Sequence, residues 1–500
     1  MSTIFALATA PGRAGIAVFR VSGPGAALVF DLCAPNFGDS LPFSSDAVSY
    51  SGGQEKKKVN CHRNSPLART AHLRNLHHPQ TGALLDKALT LWFPAPNSYS
   101  GEDMAELHIH GGRATVNAVA EALAALPGFR LAEPGEFTRR AFENGKCDLT
   151  EAEAIADLVH AETEAQRAQA MRQLEGGLRG VYDDWRARFT RALAYLEATI
   201  DFSDEDLPKD TAQQPLEDLR ALAAAIAAHL DDNRRGERLR EGFSTAILGP
   251  PNAGKSSLLN ALARREAAIV SAVAGTTRDI VEAHLDLGGY PVILADTAGL
   301  RDLSALPEAE KTAGHLAIES EGIRRALARA AEADLKLLIF DGEKFPELDQ
   351  ATLKLADEDA LVVVNKADVI EGLGARGWGL GNQSKQADNF LAPSPQPPTP
   401  FFVSAKTGIG IPELLKALTS AIETRFAGEN KNTAPPLTRA RHRAALEECR
   451  DHLMRALAAK EPELRAEDAR LASRALGRIT GRVDVEDLLD VIFRDFCIGK

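Results

Sequence analysis

The sequence is poor in residues that staple, stack or anchor a chain. Its 500 residues hold five cysteines, three tryptophans, five tyrosines and four methionines. Cys33, Cys61, Cys147, Cys449 and Cys497 are scattered, with no C-x-x-C pair. So spread and odd a set fits neither a disulfide frame nor a zinc site, and a reducing cytoplasm is the expected home. No run approaches the ~18–20 apolar residues of a membrane span. The apolar stretch 4–10 is short, lacks a basic leader and breaks at Pro11-Gly12, against a signal peptide. Cys497 stands where a prenylated cysteine would, but Gly499 and Lys500 do not fit that signal. Positive charge is also short: 58 Lys and Arg face 70 Asp and Glu, for a net −12. A general nucleic-acid coat is excluded, so any RNA contact must be a local patch or shared with a partner.

What is present is apolar content of 44%, enough for full cores, and many alanine-rich segments with helical spacing. The length suggests roughly two to four domains. Residues 1–120 alternate short strand-like runs (15–21, 88–93, 106–110) with turns, then a helix over 114–126, as a small α+β domain would. The polar stretch 44–76 reads as a surface loop. Residues 121–242 turn helical, with an acidic turn at 201–206. Residues 243–425 alternate strands and helices, the pattern of a doubly wound, mostly parallel sheet, with a surface insertion at 370–400. Residues 426–500 return to helix, predicted over 437–458, 464–479 and 485–493. An α/β unit flanked by helices on both sides predicts one domain inserted into a helical one.

The chemistry is concentrated in the inserted unit. Gly249-Pro250-Pro251-Asn252-Ala253-Gly254-Lys255-Ser256 follows a strand at 245–248 and precedes a helix, matching the phosphate-binding loop G-x-x-x-x-G-K-[ST]. Its backbone N–H groups, with those of Ala253, Gly254 and Ser257, converge on a polyphosphate. Lys255 would neutralise the outer phosphates and the Ser256 hydroxyl would hold Mg²⁺. Four further elements follow in order. Gly275-Thr276-Thr277 can close over the metal and the terminal phosphate. Asp296-Thr297-Ala298-Gly299 offers a carboxylate to the metal's water shell and a glycine N–H to the phosphate. Asn365-Lys366-Ala367-Asp368 supplies a carboxylate matched to the N1–H and 2-amino donors of guanine, which adenine cannot satisfy. Ser404-Ala405-Lys406 would cover the base. The set predicts a GTPase domain. Leu300 stands where Ras-like enzymes carry a water-orienting glutamine, so another group must position the water. Asn252 beside Thr276 suggests a monovalent cation, K⁺; alternatively, Asn252 simply suits the loop's backbone geometry.

These residues, with Pro11–Ile16, Pro96–Asp103, His110–Gly112, Pro134–Phe142, Ala152–Asp157 and the terminal Phe496-Cys497-Ile498-Gly499-Lys500, resemble the MnmE (TrmE) family of tRNA-modifying GTPases over nearly the whole chain. The resemblance implies a homodimer whose N-terminal domain binds a formyl-tetrahydrofolate-type carrier. It also implies an FAD-dependent partner of the MnmG (GidA) type, together forming a heterotetramer, and an aminomethyl-type group placed on C5 of the wobble uridine (U34) of certain tRNAs. GTP hydrolysis would drive K⁺-dependent dimerisation of the G domains. By the same resemblance K⁺ is held by Asn252, Ser271, Val273 and Thr276, and Mg²⁺ by Ser256 and Thr277. Folate meets Arg20, Glu106, Lys146 and Lys500. Glu319 positions the attacking water, with Glu310 and Glu321 as other carboxylates of that stretch. Cys497 is a candidate for chemistry near the folate or for packing. A competing reading is a GTP-switched RNA-binding or ribosome-assembly factor without modification chemistry. No basic RNA-binding module accompanies the G motifs, which weighs against it.

Overall fold

The structure is a computed structural model that describes residues 2–33, 67–201, 210–265, 282–296, 331–370, 399–427, 435–483, 486–494 and 496–499. It divides into two compact units, one of residues 1–156, 173–193 and 467–500, the other of 157–172 and 194–466.

In the first unit, strands β1 (Thr3–Leu7), β2 (Ala14–Ser22), β3 (His72–His77), β4 (Leu84–Phe93), β5 (Met104–Gly111) and β6 (Phe129–Leu131) form one sheet in the order β3-β4-β5-β2-β1-β6. All pairings are antiparallel except β1 with β6. The apolar stretch near the N-terminus is therefore a core strand, with Ile4, Phe5 and Ala6 buried. One face of the sheet packs on α1 (Arg113–Ala124) through Val119, Ala122 and Leu123 and on the 3₁₀ segment Ala26–Cys33 through Val29 and Phe30. Strand β3 corrects the loop expected to run to residue 76. Its less exposed positions carry His72, Arg74 and Leu76 while Leu73 faces out, so the sequence lacks the apolar alternation that marks a strand. Much of that loop, 34–66, lies outside the described residues. Beyond β6, α2 (Glu136–Glu143) and α3 (Leu149–His160) follow. Phe142, Leu149 and Ala152 meet Leu489, Phe493 and Phe496 of the chain's last segment.

The helices α4 (Glu164–Leu174), α5 (Gly177–Asp201), α6 (Asp210–Leu230) and α7 (Arg235–Glu241) lead to the second sheet. The expected acidic turn at 201–206 lies almost wholly outside the described residues. Strands β7 (Phe243–Leu248), β8 (Glu282–Leu287), β9 (Tyr290–Asp296), β10 (Leu335–Asp341), β11 (Ala360–Asn365) and β12 (Phe401–Phe402) are ordered β12-β11-β10-β7-β9-β8. All pair in parallel except β8 with β9. Strands buried on both faces need near-continuous apolar runs, and β7, β10 and β11 have them. On one face, Ile247, Leu337, Ile339 and Val363 pack with Leu258 and Leu262 of α8 (Lys255–Arg265). Between β10 and β12 the short α9 (Gln350–Leu353) supports the other face through Leu353. Helix α10 (Ile411–Ala427) joins the first face through Leu414, Leu418 and Ile422. The chain finishes in α11 (Ala440–Ala458), α12 (Pro462–Thr480) and α13 (Glu486–Arg494). The insertion expected at 370–400 falls almost entirely outside the described residues.

Candidate functional site

Strands β9 and β10 pair in parallel with β7 on opposite sides, so the carboxyl end of β7 lies at the point where strand order reverses. A parallel sheet opens a crevice there. The phosphate loop begins at that end. Gly249 passes so close to β10 that a Cβ would stand 2.2 Å from the Ile339 carbonyl oxygen. Gly254 has φ +86°, and a Cβ there would come within 2.2 Å of Asn365 Nδ2. Both positions thus require glycine, the residue the sequence supplies. The buried Lys255 ammonium donates to the Gly249 carbonyl (3.0 Å) and the Pro250 carbonyl (2.8 Å), at the mouth of the loop. Ser256 and Ser257 are exposed in the first turn of α8. Asn252 is exposed and left-handed, φ +64°, a conformation asparagine tolerates, so its backbone role is met.

The elements expected to read the base close on this loop through one side chain. Asn365, 2% exposed at the end of β11, donates from Nδ2 to the Ala253 carbonyl at 3.0 Å, and its Oδ1 accepts from the Ala405 amide at 3.1 Å. Asp368 lies exposed on the next turn and accepts from the Ser404 hydroxyl at 2.6 Å. That bond, with Lys406 and Lys366 nearby, holds its carboxyl below the usual range, so it is an acceptor at neutral pH. Ser404 Oγ in turn accepts from the Thr407 amide. Lys366, itself left-handed, bridges Asp341 (2.8 Å) and Glu343 (3.1 Å). Neither acid was expected from the sequence. The available signal was that Asp341 ends a strand at the same sheet edge as Asn365, its register partner. Asp296 ends β9 in register with Ile247, two residues before the loop. Ser271, Val273, Thr276, Thr277, Thr297, Ala298, Gly299 and Glu319 lie outside the described residues, as do Glu310 and Glu321.

In the first unit, Arg20 of β2 and Glu106 of β5 are register partners, joined at 3.1 Å. Glu106 also meets His108 Nε2 at 3.2 Å. The Arg20 guanidinium lies 5.3 Å from the centre of the Tyr99 ring and reaches the Gly499 carbonyl at 3.5 Å. Tyr99 shares a 2.7 Å hydrogen bond with Thr138, and burial pushes its hydroxyl up in pKa. Its loop is pinned on several sides. Ser22 Oγ pairs with Ser100 Oγ, Asn144 donates to the Ser100 carbonyl, and Arg140 binds Glu102 at 2.9 Å. Lys146 donates to the Pro96 carbonyl at 2.9 Å. The structure thus joins Arg20 with Glu106 and puts Lys146 on the loop that carries Tyr99, a residue sequence reasoning did not single out. Lys500 lies outside the described residues. Cys497 is exposed, and its carbonyl accepts from Gly135 N. Among the described residues no group of three His, Cys, Asp or Glu could hold a metal, and no helix is long and apolar enough to cross a membrane.

A glycine-bounded loop at the switch point of a doubly wound sheet, with a guanine-matched carboxylate beside it, defines a P-loop GTPase domain. The rest of the chain narrows the class. A family model described as the MnmE helical domain matches residues 149–497, and one described as the GTP-binding protein TrmE N-terminus matches residues 3–146. The tRNA modification GTPase MnmE of Paramagnetospirillum magneticum is 51% identical over 498 residues, covering 100% of this chain and 99% of that protein. The protein of the same name from Parvibaculum lavamentivorans is 50% identical and covers 100% of both. A relative in Danio rerio, the mitochondrial 5-taurinomethyluridine-[tRNA] synthase subunit GTPB3, is 41% identical over 100% of this chain and 93% of that one. The chain belongs to the MnmE (TrmE) family: it is a GTP-hydrolysing enzyme of tRNA modification.

Proposed function

We propose that this enzyme installs an aminomethyl or carboxymethylaminomethyl group on C5 of the wobble uridine of certain tRNAs. It works in the cytoplasm as a homodimer with an FAD-dependent partner of the MnmG type, and takes the carbon from a formyl-tetrahydrofolate. The observation that carries the reading is the Arg20–Glu106 pair beside the Tyr99 ring. A pterin is flat and presents adjacent N–H and amino donors; the half-buried Glu106 carboxylate matches the donors, and its partner Arg20 lies over an aromatic face, Tyr99. The residues present fit such a carrier. Glu106 would accept from the ring, Arg20 would hold the Glu106 carboxylate in place, and Lys146 with Lys500 would meet its acidic tail. When bound, the folate supplies the one-carbon unit.

At the other site, the Asn365-held loop supports GTP binding by Asn252, Ala253, Gly254, Lys255, Ser256 and Ser257. Base reading falls to Asp368 with Asn365, Lys366, Ser404, Ala405 and Lys406. Thr276, Thr277, Asp296, Thr297, Ala298 and Gly299 complete the phosphate and metal contacts. Ser256 and Thr277 would hold Mg²⁺, which when bound offsets charge on the phosphoryl oxygens. Asn252, Ser271, Val273 and Thr276 would hold K⁺, and Glu319 would orient the attacking water. Lys255 must then exchange its two loop carbonyls for phosphate oxygens.

The deciding experiment has two parts. Mass spectrometry of wobble uridines should show the modified base lost on deletion of this gene and restored by the wild-type chain but not by Glu106→Ala. Equilibrium dialysis should show 5-formyl-tetrahydrofolate bound by wild type only. Tight binding to ribosomal subunits with no folate retention would favour an assembly factor instead.

A further inference from the structure

We propose that the groove between α5 and α12 is a docking surface for the phosphate backbone of tRNA. The inference rests on the reading that this chain itself touches tRNA. On α12, Arg470, Arg474 and Arg478 recur at every fourth position, so they follow one side of the helix with a rise of ~6 Å between them. Arg470 and Arg474 are exposed, the Arg470 side chain by 47%. A cleft of about 420 Å³ opens beside them, floored by Leu193 of α5 and Leu471, with Ser473 at its wall. Past the end of α12, Arg482 binds Asp183 of α5 at 2.8 Å and so fixes the two helices at the far end. Along α5, Arg186 and Arg191 are exposed.

The charge balance selects the ligand. The chain as a whole is acidic, net −12, yet the cleft carries a single acid, Glu467, already paired with Arg470 at 2.8 Å. Arg474 has no ion pair among the described residues. A protein interface would set its arginines around an aromatic or apolar centre, and the cleft offers only Leu193 and Leu471. Guanidinium forks instead suit phosphate oxygens, which they can grip in pairs. Contacts of this kind carry affinity and register without reading bases, as an enzyme serving several tRNAs requires. The local patch that the acidic composition calls for is therefore a two-helix face, built of arginine rather than lysine.

The test uses the full chain and an unmodified tRNA transcript, with binding followed by anisotropy across a sodium chloride series. Arg470→Gln with Arg474→Gln should weaken binding at least tenfold at 100 mM salt and make the salt slope shallower by about two. The same pair changed to Lys should retain most of the affinity and the slope. GTP turnover without tRNA should stay within twofold in both, which shows the variants folded. Wild-type affinity and slope in the Gln pair would overturn the assignment. So would normal tRNA binding combined with lost association with the flavoprotein partner, which would give the face to a protein. If wild type itself shows no salt-dependent tRNA binding, direct RNA contact by this chain fails together with the groove.

Discussion

Asn365 commits its two polar ends to different loops. The amide holds the phosphate loop at Ala253, and the carbonyl holds the base-covering loop at Ala405. Replacing it with Ala strands a buried carbonyl, at a cost of about 1–3 kcal/mol, and leaves a half-buried amide to water. Asn365→Ala should therefore lower affinity for a fluorescent GTP analogue at least tenfold. Wild-type affinity would show that the loops hold their places without it. Asp368→Asn should weaken GTP and admit xanthine nucleotides, because an amide facing N1–H can no longer accept from both guanine donors. Unaltered GTP preference in competition binding would move base reading elsewhere. The cysteines separate by burial. Cys33, Cys147 and Cys449 are each pushed up to about 12, by burial first, and remain thiols at pH 8. Exposed Cys497 should be alkylated well before these three, as peptide mass spectrometry of a short iodoacetamide pulse would reveal.

At the scale of elements, single arginines hold helices together. Arg443 of α11 binds Asp232 at 2.5 Å and Glu237 at 2.7 Å, and donates to the Leu230 carbonyl at the end of α6. Both acids are buried; Glu237 keeps Arg234 at 2.6 Å, but Arg443→Met leaves Asp232 without its cation and should cost about 3–5 kcal/mol. Amide exchange should quicken in α6 and α11 together; protection kept in both would show that apolar packing suffices. Glu136, in the first turn of α2, gives a pH dependence. Burial alone would raise its carboxyl, but Arg130, the Glu133 amide and Arg140 together hold it below the usual range. Its contribution to stability is thus complete above a pH of about 4.3 and is lost as pH falls through the lower folded value. Glu136→Gln should flatten the acid limb of unfolding, followed by circular dichroism. How far elements were legible follows from the same physics. Strand β7, expected over 245–248, announces itself because burial on both faces demands an apolar run. Strand β3 does not, because its exposed side chains break the alternation, and β6 has only three residues. The Asn365–Asp368 turn was legible as a tetrapeptide closing such a strand. The Arg20–Glu106 pair depends on register between strands 86 positions apart, and Asp341 belongs to no motif, so pattern alone could not join them to their partners.

The whole chain keeps the phosphate loop and the Arg20–Glu106 pair on separate cores. The phosphate loop and the turns at Asn365 and Ser404 hang on the apolar clusters of the second sheet. The Arg20–Glu106 site hangs on the first sheet and on the end of the chain, where Phe496 packs against Phe493 with ring centres 5.2 Å apart and Gly499 lies against the Leu7 carbonyl. Gly135 explains how tightly that end is seated: its left-handed turn leaves a hypothetical Cβ 2.8 Å from the Phe493 carbonyl oxygen. Removing residues 496–500 strips a buried phenylalanine, worth about 3–5 kcal/mol, and the carbonyl that Arg20 reaches. Nothing among the described residues of the nucleotide site is touched by that deletion. The truncated chain should therefore lose retention of 5-formyl-tetrahydrofolate in dialysis and melt its first unit earlier, while its dissociation constant for GTP stays within twofold. Loss of GTP binding in step with folate would mean that the two cores do not stand independently, and that the tail supports both reactions.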